Sequence, residues 1–194
     1  MTSLPSERSD LASRAQWIGG AGWLIFLLSA GAAALPLFER RGGALVIGGL
    51  LVAGGIIEIL AGSLRHEARK LAMLTGALTV VAGFLFATGP ATRFFLPAIT
   101  IVMGWLLVRA LLLALTSRVT GGGVRRWTLI AAATDFLLAM VLLVGLQIAA
   151  LVVAVLGATA PLVASFSWIL ALSFVATGLM LLEVASCARS SEDV

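Results

Sequence analysis

Residues 44–64 read ALVIGGLLVAGGIIEILAGSL, with Glu58 as the single ionisable side chain. A run of this length meets the ~20 residues needed to cross a ~30 Å hydrocarbon core. Lipid offers the backbone no hydrogen-bond partner, so the segment must satisfy its own N–H and C=O groups as a helix. Glu58 then places a carboxyl group in hydrocarbon, which costs a few kcal/mol or more and calls for a partner, water or a function.

Similar runs lie on both sides of this one. They cover about Trp17–Leu35, Leu71–Ala87 and Phe94–Leu115, with a further stretch beginning at Trp127 and a last one ending near Cys187. Inside them the ionisable residues are Glu58, Arg109, Asp135 and Glu183. The 194-residue chain is 61% hydrophobic and 11% charged, against roughly 25% charged in soluble domains. The expected fold is therefore all-α, a polytopic membrane bundle of six transmembrane helices. One transmembrane domain over 15–189 accounts for the chain, with polar tails at 1–14 and 190–194. The first run follows Arg8 and Arg14 and is read as an uncleaved first helix, although Ala32-Ala33-Ala34 resembles a signal-peptidase site.

Basic residues set the expected orientation. With the N-terminus in the cytoplasm, inside segments hold Arg8, Arg14, Arg65, Arg69, Lys70, Arg118, Arg125, Arg126 and Arg189, whereas outside segments hold Arg40, Arg41 and Arg93. That is a positive-inside bias. It places both termini in the cytoplasm. Trp17 and Trp127 are expected to open their helices as interfacial anchors. The formal charge of +4 is spread over these loops and does not form a nucleic-acid-binding face.

Prolines mark a repeat. Pro36, Pro90 and Pro161 stand near the ends of the odd helices, and the basic residue closing each next helix follows by 29, 28 and 28 residues (Arg65, Arg118, Arg189). Three tandem hairpins result, at about 15–65, 70–118 and 126–189. The third carries roughly 14 extra residues, within LQIAALVVAVLGATA (Leu146–Ala160). This segment either extends the fifth helix or re-enters the membrane, and it is a candidate contact with a larger membrane complex. Small residues suited to close packing recur at Gly19, Gly20, Gly22, Gly49 with Ala53, Gly54, Gly55 and Gly178. Most of these serve packing within the bundle.

The hairpin pattern, with GGLLVAGGIIEILAG (48–62), IVMGWLLVRALLLAL (101–115) and WTLIAAATDFLLAM (127–140), resembles the HdeD family of bacterial acid-resistance membrane proteins. The resemblance spans nearly all of the membrane region. It implies a small inner-membrane protein linked to acid or general stress, with no established chemistry. The apolar surplus at 146–160 departs from that family's compact third hairpin.

Glu58 precedes Arg65 by 7 residues, Arg109 precedes Arg118 by 9, Asp135 follows Arg126 by 9 and Glu183 precedes Arg189 by 6. At 1.5 Å per residue all four lie roughly 9–14 Å from the inner boundary. A cluster centred on Arg109 is expected, because a guanidinium stays protonated and binds carboxylates in pairs. It is read as a structural clasp or as a proton-responsive group. Chemistry is otherwise sparse. His66, the one histidine, lies in the RHEARK loop, and the one cysteine, Cys187, rules out an internal disulfide. No Ser/His/Asp set with a credible base exists, and zinc sites need more Cys or His than the chain offers. Gly121-Gly122-Gly123 reads as a flexible connector without the Lys and Ser/Thr of a phosphate loop.

No catalytic residue, metal or cofactor is therefore expected, and membrane lipids are the expected surroundings. Three functions stay open: a non-enzymatic HdeD-like stress protein, an accessory subunit of a larger membrane complex (or a homo-oligomer), and a proton-coupled transporter or channel.

Overall fold

The computed structural model describes residues 5–38, 43–65, 68–88, 95–156 and 162–190. The described residues form six helices: α1 (Pro5–Phe38), α2 (Gly43–Ser63), α3 (Arg69–Thr88), α4 (Phe95–Val119), α5 (Gly122–Leu156) and α6 (Leu162–Ser190). Each contains a segment long and apolar enough to cross a membrane. The chain is a multi-pass membrane protein.

Several boundaries differ from those read in the sequence. The polar stretch before Trp17 continues α1 back to Pro5, a residue whose fixed φ suits the first helical position. Trp17 thus sits well inside its helix, although it is exposed. Trp127 follows five residues after the start of α5 and packs partly buried against the core. The glycine connector shortens to Thr120 and Gly121. Gly122 has a φ of 55°, a left-handed conformation that glycine adopts without a Cβ penalty, and this lets α5 start at once.

Residues 146–156 continue α5, which runs for 35 residues, or about 50 Å at 1.5 Å per residue. The extension alternative therefore holds for this part of the surplus, and Gly157–Ala160 lie outside the described residues. His66, Pro90 and Pro161 also lie outside them.

Successive helices pack in order around a ring, which closes where α6 meets α1. The two helices of each tandem hairpin touch. The most extensive contacts, however, join one hairpin to the next, at α2–α3, α6–α1 and α4–α5. The α2–α3 contact has a clear physical basis. Gly48, Gly55 and Gly62 recur every seven residues on α2 and face Gly83, Gly76 and Ala72 on α3. A Cβ on Gly55 would fall 2.7 Å from the Gly76 carbonyl oxygen, and one on Gly76 would fall 2.8 Å from that of Gly55. The backbones meet directly, so dispersion replaces the hydrophobic force that lipid does not supply.

Among the small residues singled out in the sequence, Gly19 and Gly22 on α1 meet Ala185 and Gly178 on α6, and Gly54 lies under the Phe174 ring. Gly20 and Gly49 face open space. Large apolar side chains such as Trp23, Leu27, Phe84 and Val141 cover the outside, and Arg109, Asp135 and Ser173 are fully buried. An apolar exterior around a polar centre is the distribution a lipid solvent selects.

Candidate functional site

The polar centre is built around Arg109, near the middle of α4. An unpaired guanidinium there would be prohibitive, and the fold surrounds it with acceptors from three other helices. Nη1 donates to Asp135 Oδ2 on α5 at 2.8 Å and to Ser173 Oγ on α6 at 2.6 Å. Nη2 donates to Glu58 Oε1 on α2 and to Thr177 Oγ1 on α6, the latter at 2.6 Å. The Ser173 hydroxyl in turn donates a hydrogen bond to Asp135 Oδ1 at 2.6 Å. The serine thus fastens both members of the α4–α5 ion pair.

Glu58 is held from its other side as well. Thr79 on α3 donates to Glu58 Oε2 at 3.3 Å and also lies 3.1 Å from the Thr75 carbonyl. Trp105, one turn before Arg109, donates its indole N–H to Thr79 Oγ1 at 3.2 Å. The Arg109 guanidinium carbon stands 5.6 Å from the centre of the Trp105 ring, within the reach of a cation–π attraction. One buried network therefore ties together α2, α3, α4, α5 and α6. The α1 helix packs on α6 through the small-residue contact of Gly19 and Gly22 with Ala185 and Gly178.

The expected cluster forms with three of its four members. Glu58, Arg109 and Asp135 meet, and Glu183 does not join them. Both depth and rotation separate Glu183 from them: it lies about 9 Å along α6 from Thr177 at 1.5 Å per residue, and it meets Gly123, twelve residues before Asp135 on α5. It follows Thr177 by six residues, about 240° around a helix of 3.6 residues per turn, so it points away from Arg109. Its Oε1 instead approaches the start of α5, only 2.5 Å from where a Cβ on Gly123 would stand. Cys187 Sγ lies 3.8 Å away. A carboxylate at this position faces the positive end of the α5 dipole.

Ser173, Thr177, Thr79 and Trp105 are members that the sequence reading missed. A signal was present, since Ser173/Thr177 and Thr75/Thr79 are hydroxyl pairs spaced i, i+4 in apolar runs. That spacing puts both hydroxyls of a pair on one helix face.

Chemically, the arrangement holds charge in place. Both terminal nitrogens of Arg109 are engaged twice, and the ion pairs are shielded from lipid by the surrounding helices. Among the described residues no three His, Cys, Asp or Glu side chains gather as a metal site. No family model, curated protein or solved structure matches the chain.

Proposed function

We propose that the chain is a non-enzymatic, HdeD-like protein of the bacterial inner membrane, with both termini in the cytoplasm and a role in acid or general stress. The observation that carries this reading is the engagement of both terminal nitrogens of Arg109. Its two terminal nitrogens are spent on Glu58, Asp135, Ser173 and Thr177, so the main polar machinery of the bundle fastens helices. The quoted sequence pattern supports the family resemblance, and the lysines and arginines in the connecting segments support the orientation.

The test is survival of a deletion strain. Acid challenge should reduce survival, and the intact chain should restore it. Survival unchanged under acid, heat and oxidative challenge would overturn the reading.

A second reading is favoured by the length of α5. The helix continues twelve residues beyond Val144, where its membrane-crossing window ends. That is about 18 Å of further apolar helix, a natural docking element for an accessory subunit of a larger membrane complex. Purification in native membrane discs separates the two. Stoichiometric co-purification of a complex, lost on deleting 146–156, supports the subunit; a lone monomer or homo-oligomer excludes it.

A further inference from the structure

Two buried donors make no hydrogen bond among the described residues, Arg65 Nε and Arg109 Nε. Arg65 is 9% exposed and Arg109 0%. Both side chains line one cavity between α2, α3, α4 and α6, whose polar wall also includes Glu58, Thr75 and Thr116. The cavity has a volume of about 20 Å³, room for a single water molecule.

The charges and the hydrogen-bonding capacity both select the occupant. Burial pushes the Arg65 guanidinium down to about 10, with the charge of Glu58 opposing the shift, so it stays cationic at neutral pH. Two guanidiniums, Arg65 and Arg109, then stand against two carboxylates, Glu58 and Asp135. The set is neutral as it stands, and a bound anion would leave it one charge negative. A water molecule accepts two hydrogen bonds and donates two. The two N–H groups fill its acceptor positions. Its donors have acceptors waiting: a carboxylate offers about four acceptor positions, and Glu58 uses two, for Arg109 and Thr79. Thr75 and Thr116 direct their own protons to the Leu71 and Leu112 carbonyls at 3.0 and 2.8 Å, which leaves their oxygens free to accept.

We propose that this cavity is an internal water site, where one water bridges Arg65 Nε and Arg109 Nε and donates to Glu58, making Arg65 the fourth charged member of the clasp. Arg65 looks like a topological marker in the sequence, closing the first hairpin. In this arrangement it is a positioning residue, neutralising a network that would otherwise carry one excess negative charge.

The first test is a high-resolution structure of the full chain in lipid discs, with and without bromide. One peak at about 2.7–3.2 Å from both Nε atoms, unchanged by bromide, is expected. Bromide replacing that peak would show an anion site, and the water would be wrong. No peak, or both Nε atoms bonded to protein groups, would also overturn it.

The second test reads charge balance through the melting midpoint. Arg65→Gln should lower it by a few degrees, since even a small loss of stability shifts the midpoint of a chain of this size by that much. In a Glu58→Gln background the same change restores neutrality, so the midpoint should rise or hold. Equal falls in both backgrounds would overturn the role of Arg65. Should Glu58→Gln fail to assemble, the structure of the unaltered chain decides.

Discussion

Arg109 Nη1 and Asp135 Oδ2 lie 2.8 Å apart with both residues fully buried, a direct ion pair between α4 and α5. Removing one partner strands the other in a medium that cannot solvate it. Arg109→Ala should destabilise the bundle by about 3–5 kcal/mol, the range for breaking a buried pair. Replacing Arg109, Asp135, Glu58 and Arg65 together by Met, Asn, Gln and Gln should cost less than Arg109→Ala alone. Denaturation of purified protein in mild detergent, run as a mutant cycle, measures the coupling. Additive losses would mean that the groups do not act as a unit.

The α2–α3 contact makes a separate prediction. Gly55→Ala puts a methyl group 2.7 Å from the Gly76 carbonyl oxygen and the Val80 nitrogen. Both are backbone atoms, so two helices must separate, and overpacking of this kind costs about 1–3 kcal/mol. Gly49→Ala, six residues earlier, enters open space. It should be neutral or stabilise by up to about 1 kcal/mol, the difference in helix propensity between the two residues. Melting midpoints of the two variants provide the comparison, and similar losses in both would contradict the packing described.

The contrast between those glycines shows what was legible in the sequence. Six helices could be read because lipid admits few solutions for an apolar run of twenty residues, and the runs at 44–64 and 101–115 leave no alternative to a helix. The pairing of Arg109 with Glu58 and Asp135 could also be anticipated, because three charges at one depth cannot ignore each other. Counting back from Arg189 put Glu183 at the depth of Arg109, but neighbouring helices are not level by such counts, and Glu183 lies beside Gly123 at the start of α5, out of reach of the clasp. The seven-residue recurrence of Gly48, Gly55 and Gly62 lay open in the sequence, but adjacent glycines such as Gly49 masked which face was shared. The length of α5 was undecided for a different reason. An apolar segment fits both a longer helix and a re-entrant turn, and no periodicity separates them.

Ala68 offers a local test. It precedes α3 with a φ of 53°, and its carbonyl accepts from Ala72 N at 2.9 Å. An L-residue in this left-handed region is disfavoured by roughly 1–2 kcal/mol, whereas glycine adopts it freely but loses about 0.5–1 kcal/mol more entropy on folding. Ala68→Gly should therefore stabilise the bundle by up to about 1 kcal/mol, seen as a rise in melting midpoint. A fall would show that the turn does not hold this conformation.

Glu58 and Glu183 have the same spacing from their prolines, 22 residues after Pro36 and Pro161, yet their substitutions should behave differently. Glu183 is only partly buried and lies at the start of α5. Glu183→Gln keeps the shape and removes a favourable contact with the helix dipole, a loss of about 0.3–1 kcal/mol. Glu58→Gln removes one carboxylate from a buried guanidinium and leaves Arg109 with a single counter-charge, Asp135. Its cost should be several times larger, and it should couple strongly to Arg109→Met in a mutant cycle, whereas Glu183→Gln should add independently. Strong coupling of Glu183 to Arg109 would place it in the clasp after all. Independence would show that two acids at equivalent steps of the repeat have diverged, one fastening the centre of the bundle and the other capping α5.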